Sequence, residues 1–344
     1  MKEKIQKILI DETIVPDGLA VNTKVFSFSE IRNGILTPLE RLLTNYPDAE
    51  LFYKHNDEYF QKAFLSRNPV CKAYIETKFD LVVKPTLNPW EMLSQVFKMI
   101  EDDLSIWKEL KKWKSKLKPK NNGVYIIGKK KGLHIHPSVK IDPGVVLNVD
   151  TGPIVIDKDT QISPFSYLEG PLYIGKNSSI DNARITGGCI FGQHCKIGGE
   201  VENSIFGNFS NKHHEGFVGH SYVGNWVNLG AMAATSDLKN NYSYVKLKLK
   251  DKVLNTETIK FGSVIGDFVK ISIGCMINTG STIEVGANVV SQSVSGHTPP
   301  FIWINSETKY RLDHFIDNTK KVMARRDKKL RSEEEALIRH IYEL

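Results

Sequence analysis

The chain has three zones that differ in the spacing of their hydrophobic residues. In roughly the first 85 residues, the apolar runs KILI, ELFY and FDLVV alternate with LTPLERLL and EYFQKAFL, which have helical spacing. This alternation predicts strands separated by helices. From Asn88 and Pro89 onward, apolar residues at helical spacing predict one amphipathic helix that ends among lysines. Residues 1–120 are therefore expected to form a small α/β domain with an amphipathic linker helix.

From Leu133 onward, aliphatic residues recur every six positions. A small or β-branched residue often stands four positions later, and Gly or a short polar residue often follows directly. A fixed period built from strand-type and turn residues predicts a parallel β-solenoid, in which three short strands make one coil of about 18 residues and stacked coils bury the aliphatic column. The residues of this column are Ile135, Ile141, Leu147, Ile156, Ile162, Leu168, Ile174, Ile180, Val223, Leu229, Ile265, Ile271, Ile277, Ile283 and Val289.

The six-residue period stops between Met232 and Gly262, in a polar segment that holds two strand-like pieces. Long excursions from compact folds are often functional, and in a solenoid such a segment can reach a neighbouring subunit. The solenoid is therefore expected to occupy residues 121–304, with an inserted loop at 232–262. Residues 305–344 are charged and have helical spacing, which predicts a helical tail packed on the surface.

Composition narrows the classes of protein to be considered. The chain has 344 residues, a net charge of +7 and no apolar run long enough for a membrane helix. Its N-terminus is too acidic after a short apolar part for a signal peptide. Its four cysteines form no CxxC pair, so reduced thiols and a cytoplasmic location are expected.

The basic runs of the chain are typical of solvated faces and accompany no RNA-binding or zinc-finger pattern. The acidic patch Glu101–Asp103 in the linker helix would repel anionic lipid. We therefore expect neither a nucleic-acid partner nor a membrane partner. A basic surface also suits an acidic small substrate, such as a sugar phosphate.

The period fails at Val218 and Val223, which are only five residues apart. His213 and His214 precede this fault, and His220 lies within it. A five-residue step distorts a coil locally, so at least one imidazole could face a groove between solenoids. The residues alone leave three interpretations open: surface histidines without a task, a zinc site shared between subunits, and a general base, since imidazole titrates at about pH 6.5.

The segment VENSIFGNFSNKHHEGFVGHSYVGNWVNLGA, residues 201–231, resembles the acetyltransferase half of the bifunctional UDP-N-acetylglucosamine pyrophosphorylase/glucosamine-1-phosphate acetyltransferase family. The elements GGEVENS, SNKHHEGFVG, NLGA, SDLKNNY and VMARR are also similar to GlmU-like sugar nucleotidyltransferase proteins. The resemblance extends more loosely over Leu133–Val290. It implies a left-handed β-helix of hexapeptide repeats that forms a homotrimer and uses acetyl-CoA as acyl donor, with Mg²⁺ needed only for nucleotidyl transfer.

The resemblance also implies roles for individual residues. His214 corresponds to the catalytic base, which would deprotonate the attacking amine. Asn228 would hold the sugar and the acetyl group, and the backbone of Ala231 would lie near the thioester carbonyl. Arg184, one 18-residue coil before Glu202, corresponds to a phosphate-binding arginine. The further substrate-binding candidates are Lys212, Asp237 and Lys239, and no metal site is expected.

Several positions depart from the family pattern. Glu202 stands in place of a lysine, Phe217 in place of a tyrosine and Asp237 in place of an asparagine. The lysine-to-glutamate exchange would weaken a sugar-phosphate contact and points to a different substrate or an inactive site. The first 40 residues hold only Gly18 and Gly34, whereas a pyrophosphorylase needs a Gly-rich loop to approach a triphosphate closely.

These observations together predict an acyl-CoA-dependent acyltransferase, most simply an acetyltransferase, that acts on an amino-sugar phosphate or a nucleotide sugar. Two alternatives stay open. One is a sugar-1-phosphate nucleotidyltransferase that relies on the N-terminal unit, and the other is a non-catalytic protein that binds a nucleotide sugar.

Overall fold

The computed structural model describes residues 5–107, 113, 123–304 and 308–344. A small parallel sheet and two C-terminal helices pack against the side of a long β-solenoid. The three parts share hydrophobic clusters, so side chains from distant parts of the sequence form common cores. The lysines expected to end the linker helix lie outside the described residues.

The N-terminal unit is a parallel α/β sheet, as predicted. Side chains cap its helices: Thr37 accepts a hydrogen bond from the backbone N–H of Glu40, and Asp57 accepts one from that of Phe60. The sheet has the strand order Cys71–Ala73, Glu50–Lys54, Lys7–Asp11, Leu81–Val83, and the helical segments are Phe28–Glu30, Pro38–Asn45 and Glu58–Arg67.

The linker segment is not one helix. It breaks at Gln95 into the helices Pro89–Ser94 and Val96–Ile106, because Gln95 leaves helical geometry with φ −101° and ψ 2°. In the second helix the buried stripe contains Val96 and Ile100, and Phe97 lies beside this stripe, 44% exposed.

The solenoid is a left-handed parallel β-helix of hexapeptide repeats, as predicted. Its strands form three faces, which we call A, B and C. Face A contains Lys140–Ile141, Gln161–Ile162, the first half of Ser179–Thr186, the first half of Lys196–Glu202, Asn211–Lys212, Asn228–Leu229, Lys270–Ile271, Asn288–Val289 and Ile302–Ile304, with Thr308–Lys309 pairing antiparallel to the last.

The other two faces complete each coil. Face B contains Tyr125–Ile127, Val146–Asn148, Tyr167–Glu169, the second halves of the two long strands, Phe217–Gly219, Ala234–Thr235, Met276–Ile277 and Ser293–Val294. Face C contains Leu133–Ile135, Ile154–Ile156, Leu172–Ile174, Cys189–Phe191, Ile205–Phe206, Tyr222–Val223, Ser263–Ile265, Ser281–Ile283 and His297–Thr298.

The aliphatic column predicted from the six-residue period forms the core of the solenoid. Leu147, Ile174 and Ile283, for example, have no exposed surface, and only Ile141 of the predicted column is half-buried. Each fully buried aliphatic side chain stabilises the fold by about 1.5–3 kcal/mol relative to exposure. The stack of coils is therefore the dominant core of this part of the chain.

The coils are not uniformly 18 residues long. Along face A, the paired positions Gln161, Ser179, Lys196, Asn211 and Asn228 are separated by 18, 17, 15 and 17 residues. The shorter coils follow an irregularity in strand pairing next to Asp181.

This shortening changes the partner of Arg184. Arg184 pairs with Glu200 in the next coil, and Glu202 pairs with Thr186. The prediction that Arg184 lies one full coil before Glu202 was therefore wrong.

The excursion predicted at 232–262 begins later than expected, because Ala234–Thr235 is still a solenoid strand that pairs with Met276–Ile277. The segment after this strand folds back on its own chain. Its strands Lys246–Lys248 and Val253–Asn255 form an antiparallel hairpin. Leu247 is fully buried against face C and the N-terminal unit, and Lys252 forms an ion pair with Asp17. The segment thus ties the solenoid to the N-terminal unit.

The C-terminal helices Leu312–Ala324 and Ser332–Glu343 are also more embedded than predicted. Leu337 is fully buried in a hydrophobic cluster. This cluster joins the two helices to the N-terminal sheet and to the stacked rings of Phe209, Trp226 and Phe268 on the solenoid. The predicted helical tail is present, and one face of each helix belongs to a core. No helix in the described ranges is long and apolar enough to cross a membrane.

Candidate functional site

A loop that carries His213 and His214 stands out from one corner of the solenoid. In the preceding coil, only Gly198 and Gly199 separate the residues that pair with Lys212 and Phe217. In this coil, four residues, 213–216, cover the same step. The two additional residues explain why the loop bulges outward and leaves the His214 side chain exposed.

The glycines beneath the loop are required by close packing. A Cβ on Gly198 would lie 2.1 Å from the carbonyl oxygen of His213. Gly199 has a φ of +65°, and a Cβ there would lie 2.7 Å from the ammonium of Lys212. Only glycine fits both the space and the positive φ. The GG of GGEVENS therefore sets the floor of the histidine loop.

Lys212 lies inside this corner and not in the groove. Its side chain occupies a position of the core column, 2% exposed, and its Nζ donates hydrogen bonds to the carbonyl oxygens of Gly198 at 2.7 Å and His214 at 2.8 Å. Burial lowers the pKa of this ammonium to about 8. The geometry gives Lys212 a role in holding the loop, which differs from the predicted contact with substrate.

His214, Asn228 and Ala231 line one groove, although they come from two successive coils. The groove has a volume of about 540 Å³ and runs between face A and the end of the first C-terminal helix. His213 also lines it, with its ring centroid 4.9 Å from that of His214. The Nδ1 atom of His213 lies 3.1 Å from Oδ2 of Asp181, without the geometry of a hydrogen bond.

The groove is strongly basic. Lys196, Lys270, Arg325 and Arg326 line it, and none of its described lining residues is acidic. Nη2 of Arg326 donates a 3.1 Å hydrogen bond to Oδ1 of Asn211. A concave surface lined by one sign of charge concentrates ligands of the opposite sign.

Lys270 is the most buried of these cations. Its Nζ donates a 2.6 Å hydrogen bond to the carbonyl oxygen of Trp226, and burial lowers its pKa to about 8. The groove therefore holds one lysine whose charge changes near neutral to mildly alkaline pH, beside arginines that stay charged.

Arg184 and Lys239 lie away from this groove. Arg184 is exposed on face B, where its Nη1 forms an ion pair of 2.6 Å with Oε1 of Glu200. Nζ of Lys239 donates a 2.7 Å hydrogen bond to the carbonyl oxygen of Tyr244, within the excursion itself. Neither residue therefore lies in the groove of His214. Their contacts with substrate stay predictions.

Asp237 belongs to a second cluster. Its Oδ2 lies 2.7 Å from Nδ1 of His220, and Nε2 of His220 lies 4.0 Å from Glu202, which also pairs with Lys260 at 3.2 Å. Burial would raise the pKa of Asp237, but the hydrogen bond and charge of His220 lower it overall. His220 faces a separate cleft of about 350 Å³ lined also by Trp90.

Sequence reasoning missed the cations that the tertiary structure brings to the groove. Arg325 and Arg326 lie in the run Lys320–Arg331, which has the composition of a solvated face. The sequence feature that could have identified them is the VMARR element shared with the GlmU-like proteins, which contains both arginines. Across the described ranges, no group of three or more His, Cys, Asp and Glu residues is placed to hold a metal ion.

Comparison with known proteins gives a partial match. No family model matches the chain. Over its C-terminal region the chain is similar in sequence to bifunctional GlmU proteins. It is 28% identical over 224 residues to that of Bartonella bacilliformis, which covers 63% of this chain and 45% of the relative. It is 30% identical over 150 residues to that of Nitrosospira multiformis, which covers 42% of this chain and 31% of the relative. The chain thus matches less than half the length of either relative.

Solved structures give weaker likenesses. The acetyltransferase domain of PglB from Neisseria gonorrhoeae, in complex with acetyl coenzyme A, is 8% identical with a TM-score of 0.16, over 86% of this chain and 99% of that one. PerB from Caulobacter crescentus, in complex with CoA and GDP-perosamine, is 14% identical with a TM-score of 0.18, over 85% of this chain and 92% of that one. At such TM-scores these likenesses carry no argument about function.

Proposed function

We propose that this protein is an acyl-CoA-dependent acyltransferase, most simply an acetyltransferase, acting on an amino-sugar phosphate or a nucleotide sugar. The observation that carries the proposal is the shared groove of His214, Asn228 and Ala231, three residues to which the family resemblance gives roles in one reaction. The similarity to GlmU over the C-terminal region supports the same reading.

In this proposal, His214 is the general base. The amine nitrogen of the acceptor attacks the thioester carbonyl carbon, and an imidazole nitrogen of His214 takes the proton that the amine loses. The C–S bond then breaks, the amide forms, and the thiolate leaves and is protonated. The exposed position of His214 at the mouth of the groove allows both substrates to reach it.

The other groove residues would orient the reactants. The exposed side-chain amide of Asn228 can donate and accept hydrogen bonds, as binding of a sugar hydroxyl and an acetyl oxygen requires. The backbone N–H of Ala231 would stabilise the negative charge that develops on the carbonyl oxygen.

We further propose that the site is completed by other copies of the chain in a homotrimer. Large apolar side chains are exposed in several coils, at the corner between faces A and B and on the adjoining part of face B. They are Phe165 at 79%, Met232 at 57%, Ile273 at 76% and Met276 at 53% exposed. Contiguous exposed apolar surface often marks an interface between proteins, and cyclic symmetry closes such an assembly.

Nucleotidyl transfer is less well supported. Gly18 and Gly34, the glycines of the first 40 residues, pack against side chains of their own chain. A Cβ on Gly18 would lie 2.6 Å from Trp90, and one on Gly34 would lie 2.4 Å from Arg41. Neither glycine therefore offers open backbone to a triphosphate, and we derive no step that uses Mg²⁺.

One observation favours a ligand-binding role for the N-terminal unit as a second candidate. A cleft of about 820 Å³ lies beside the carboxyl ends of the strands Lys7–Asp11 and Glu50–Lys54, where open α/β sheets bind ligands. Lys24 and Lys250 line it. A melting temperature raised by a nucleotide sugar in wild type but not in Lys24→Ala would support this role.

The direct test of acyl transfer is release of free thiol from acetyl-CoA in the presence of a panel of hexosamine phosphates and amino nucleotide sugars. The proposal predicts release that depends on an acceptor, together with a product heavier by one acetyl group in mass spectrometry. Thiol release from no acceptor, by folded protein, would contradict it.

A further inference from the structure

The positive charge of the His214 groove is not needed for the transfer of an acyl group to an amine. That chemistry requires a base and a donor to the carbonyl oxygen. Yet two lysines and two arginines face the groove, and no carboxylate among its described lining residues balances them. An unbalanced basic concavity is costly to the folded protein unless a polyanionic ligand occupies it.

Most of the N–H donors of the two arginines have no hydrogen-bond acceptor among the described residues. A guanidinium has five N–H donors in a planar fork, and the hydrogen bond from Arg326 to Asn211 uses only one of them. Within the described ranges, neither Arg325 nor Arg326 forms an ion pair with a carboxylate. A planar fork that faces a cavity without an acidic partner matches the oxygens of a phosphate group.

The arginine that the family resemblance assigns to phosphate already has an acidic partner, and so does the lysine beside Glu202. Arg184 is paired with Glu200 at 2.6 Å, and Glu202 holds Lys260 at 3.2 Å. Face B therefore offers balanced charge at the positions where the family resemblance implies phosphate binding. The unpaired cations lie on the other side of the histidine loop, against face A.

We infer that this protein recognises the phosphate of its ligand through Arg325 and Arg326 of the C-terminal segment, with Lys196 and Lys270 beside them, and not through Arg184. The ligand class is a phosphate ester or diphosphate whose reactive group lies at His214. The inference rests on the proposed function for the reaction, but its own content is the location of the phosphate. That phosphate can belong to the acyl donor or to the acceptor.

The C-terminal segment reaches the groove because its helix is docked elsewhere. Phe315 and Met323 of that helix are buried in the cluster that includes the N-terminal sheet. This docking holds the turn that follows Ala324 against face A, where Val322 also lines the groove. The phosphate site is therefore built from two parts of the chain that meet only in the folded protein.

Isothermal titration calorimetry at about 0.15 M salt, where distant charges are screened, tests the inference without needing turnover. The probes are acetyl-CoA, glucosamine 1-phosphate and, as a ligand without phosphate, glucosamine. The main variant is Arg325→Gln/Arg326→Gln. The second variant is Lys196→Gln, because Lys196 is an exposed residue of a solenoid strand and its position does not depend on docking of the C-terminal helix. Arg184→Gln tests the location that the family resemblance implies.

A matched control removes two positive charges elsewhere. Lys140→Gln/Lys158→Gln changes the net charge by the same amount as the double arginine variant, and Lys140 lies three paired positions before Lys196 on face A. Each variant is compared with wild type by its unfolding curve without ligand, so that a binding defect is separated from a folding defect.

The inference predicts that Arg325→Gln/Arg326→Gln raises the Kd of at least one phosphate-bearing probe by about tenfold or more. Lys196→Gln should act in the same direction by a smaller factor, and the control pair should change the Kd by less than about twofold, since screened distant charges contribute little. Loss for acetyl-CoA assigns the phosphate to the donor, and loss for glucosamine 1-phosphate assigns it to the acceptor.

Three results would overturn the inference: unchanged affinity of the double arginine variant for both phosphate probes, an equal or larger loss in Arg184→Gln, or no binding of either phosphate probe to wild type. The proposed function fails separately. Wild type that binds acetyl-CoA through these arginines but never releases thiol leaves the phosphate site standing and removes the reaction.

Discussion

The side-chain ammonium of Lys212 donates a 2.8 Å hydrogen bond to the carbonyl oxygen of His214 from inside the core of the β-helix. A second bond of 2.7 Å, to Gly198, joins two successive coils through the same nitrogen. The residue proposed as general base therefore depends for its position on a charge buried at a place where the repeat otherwise has an aliphatic side chain.

Lys212→Met should loosen the histidine loop more than it changes global stability. The variant keeps a flexible apolar stem but removes the donor to two carbonyl groups, which costs about 1–3 kcal/mol per buried group left unsatisfied. It also removes the cost of burying an ammonium, which opposes that loss. We expect faster amide hydrogen exchange at residues 213–216 and lower kcat.

Lys239→Met is the control for this change, since the ammonium of Lys239 also donates to a carbonyl oxygen but within an exposed loop. It should leave exchange at residues 213–216 as in wild type. Equal exchange of that loop in wild type and Lys212→Met would show that the buried ammonium does not position His214.

Stability should depend on pH through Lys212. Burial lowers the pKa of this lysine to about 8 from the 10.5 of a solvent-exposed lysine. Between these values the unfolded chain binds more protons than the folded chain, so the free energy of unfolding rises with pH, by about 3 kcal/mol at most. Below pH 8 the lysine is charged in both states and its effect no longer changes.

The measurement is urea unfolding of wild type and Lys212→Met at several pH values from 7 to 10.5. The difference between the two proteins isolates this lysine from other titrating groups. It should move in favour of wild type as pH rises through 8. A difference that is constant over this range would contradict the assignment of a lowered pKa to Lys212.

The C-terminal helices should prove essential to the folded core. Leu337→Ala removes a fully buried side chain from the cluster shared with the N-terminal sheet, and we expect a loss of about 3 kcal/mol in the free energy of unfolding. Leu344→Ala, at a side chain that is 83% exposed, should change it by less than about 0.5 kcal/mol. Similar small effects of both substitutions in urea unfolding would mean that the helix is not docked as described.

The proposed trimer should depend on the corner between faces A and B. Ile273→Glu places a charge on a side chain that is 76% exposed in the single chain and would be buried between copies. Sedimentation or light scattering should give three times 38.9 kDa for wild type and a smaller mass for the variant. Val253→Glu, on the hairpin, should keep the wild-type mass, and a trimer unaffected by Ile273→Glu would place the interface elsewhere.

The repeat could be predicted from the sequence because it depends on local spacing. Ile156, Ile162 and Leu168 each meet the same requirement of a buried strand position, so the period alone identifies them. The period could not reveal Lys212 as a core residue, because a charged side chain is expected outside unless its partners are known. Those partners are backbone carbonyls, which a sequence does not distinguish.

The rest of the site depends on tertiary structure in the same way. Arg325 and Arg326 reach the groove only because a helix more than 100 residues away in sequence from Asn211 docks on the solenoid, as the hydrogen bond between Arg326 and Asn211 shows. Arg184 was assigned a partner by counting 18 residues, but the coil that follows it is shorter, so its partner is Glu200. Register in a sheet is set by pairing, and counting along the chain cannot detect a bulge.

Two histidines near the fault could act as a base, and the structure distinguishes their surroundings. His220 is oriented by Asp237 at 2.7 Å, as in many general-base pairs, but faces a separate small cleft. His214 has no such carboxylate partner among the described residues, yet it shares its groove with Asn228, Ala231 and the unpaired cations. We assign the reaction to His214 because it shares this groove with the residues proposed to hold the sugar and the thioester.

The most direct test is the rate of acceptor-dependent thiol release by wild type, His214→Ala and His220→Ala, each shown to unfold like wild type. The account predicts that His214→Ala lowers kcat by about 10²–10⁴-fold, the usual contribution of a general base, and that His220→Ala stays within about threefold of wild type. Turnover that survives in His214→Ala and is lost in His220→Ala would contradict the account and make the His220–Asp237 pair the base.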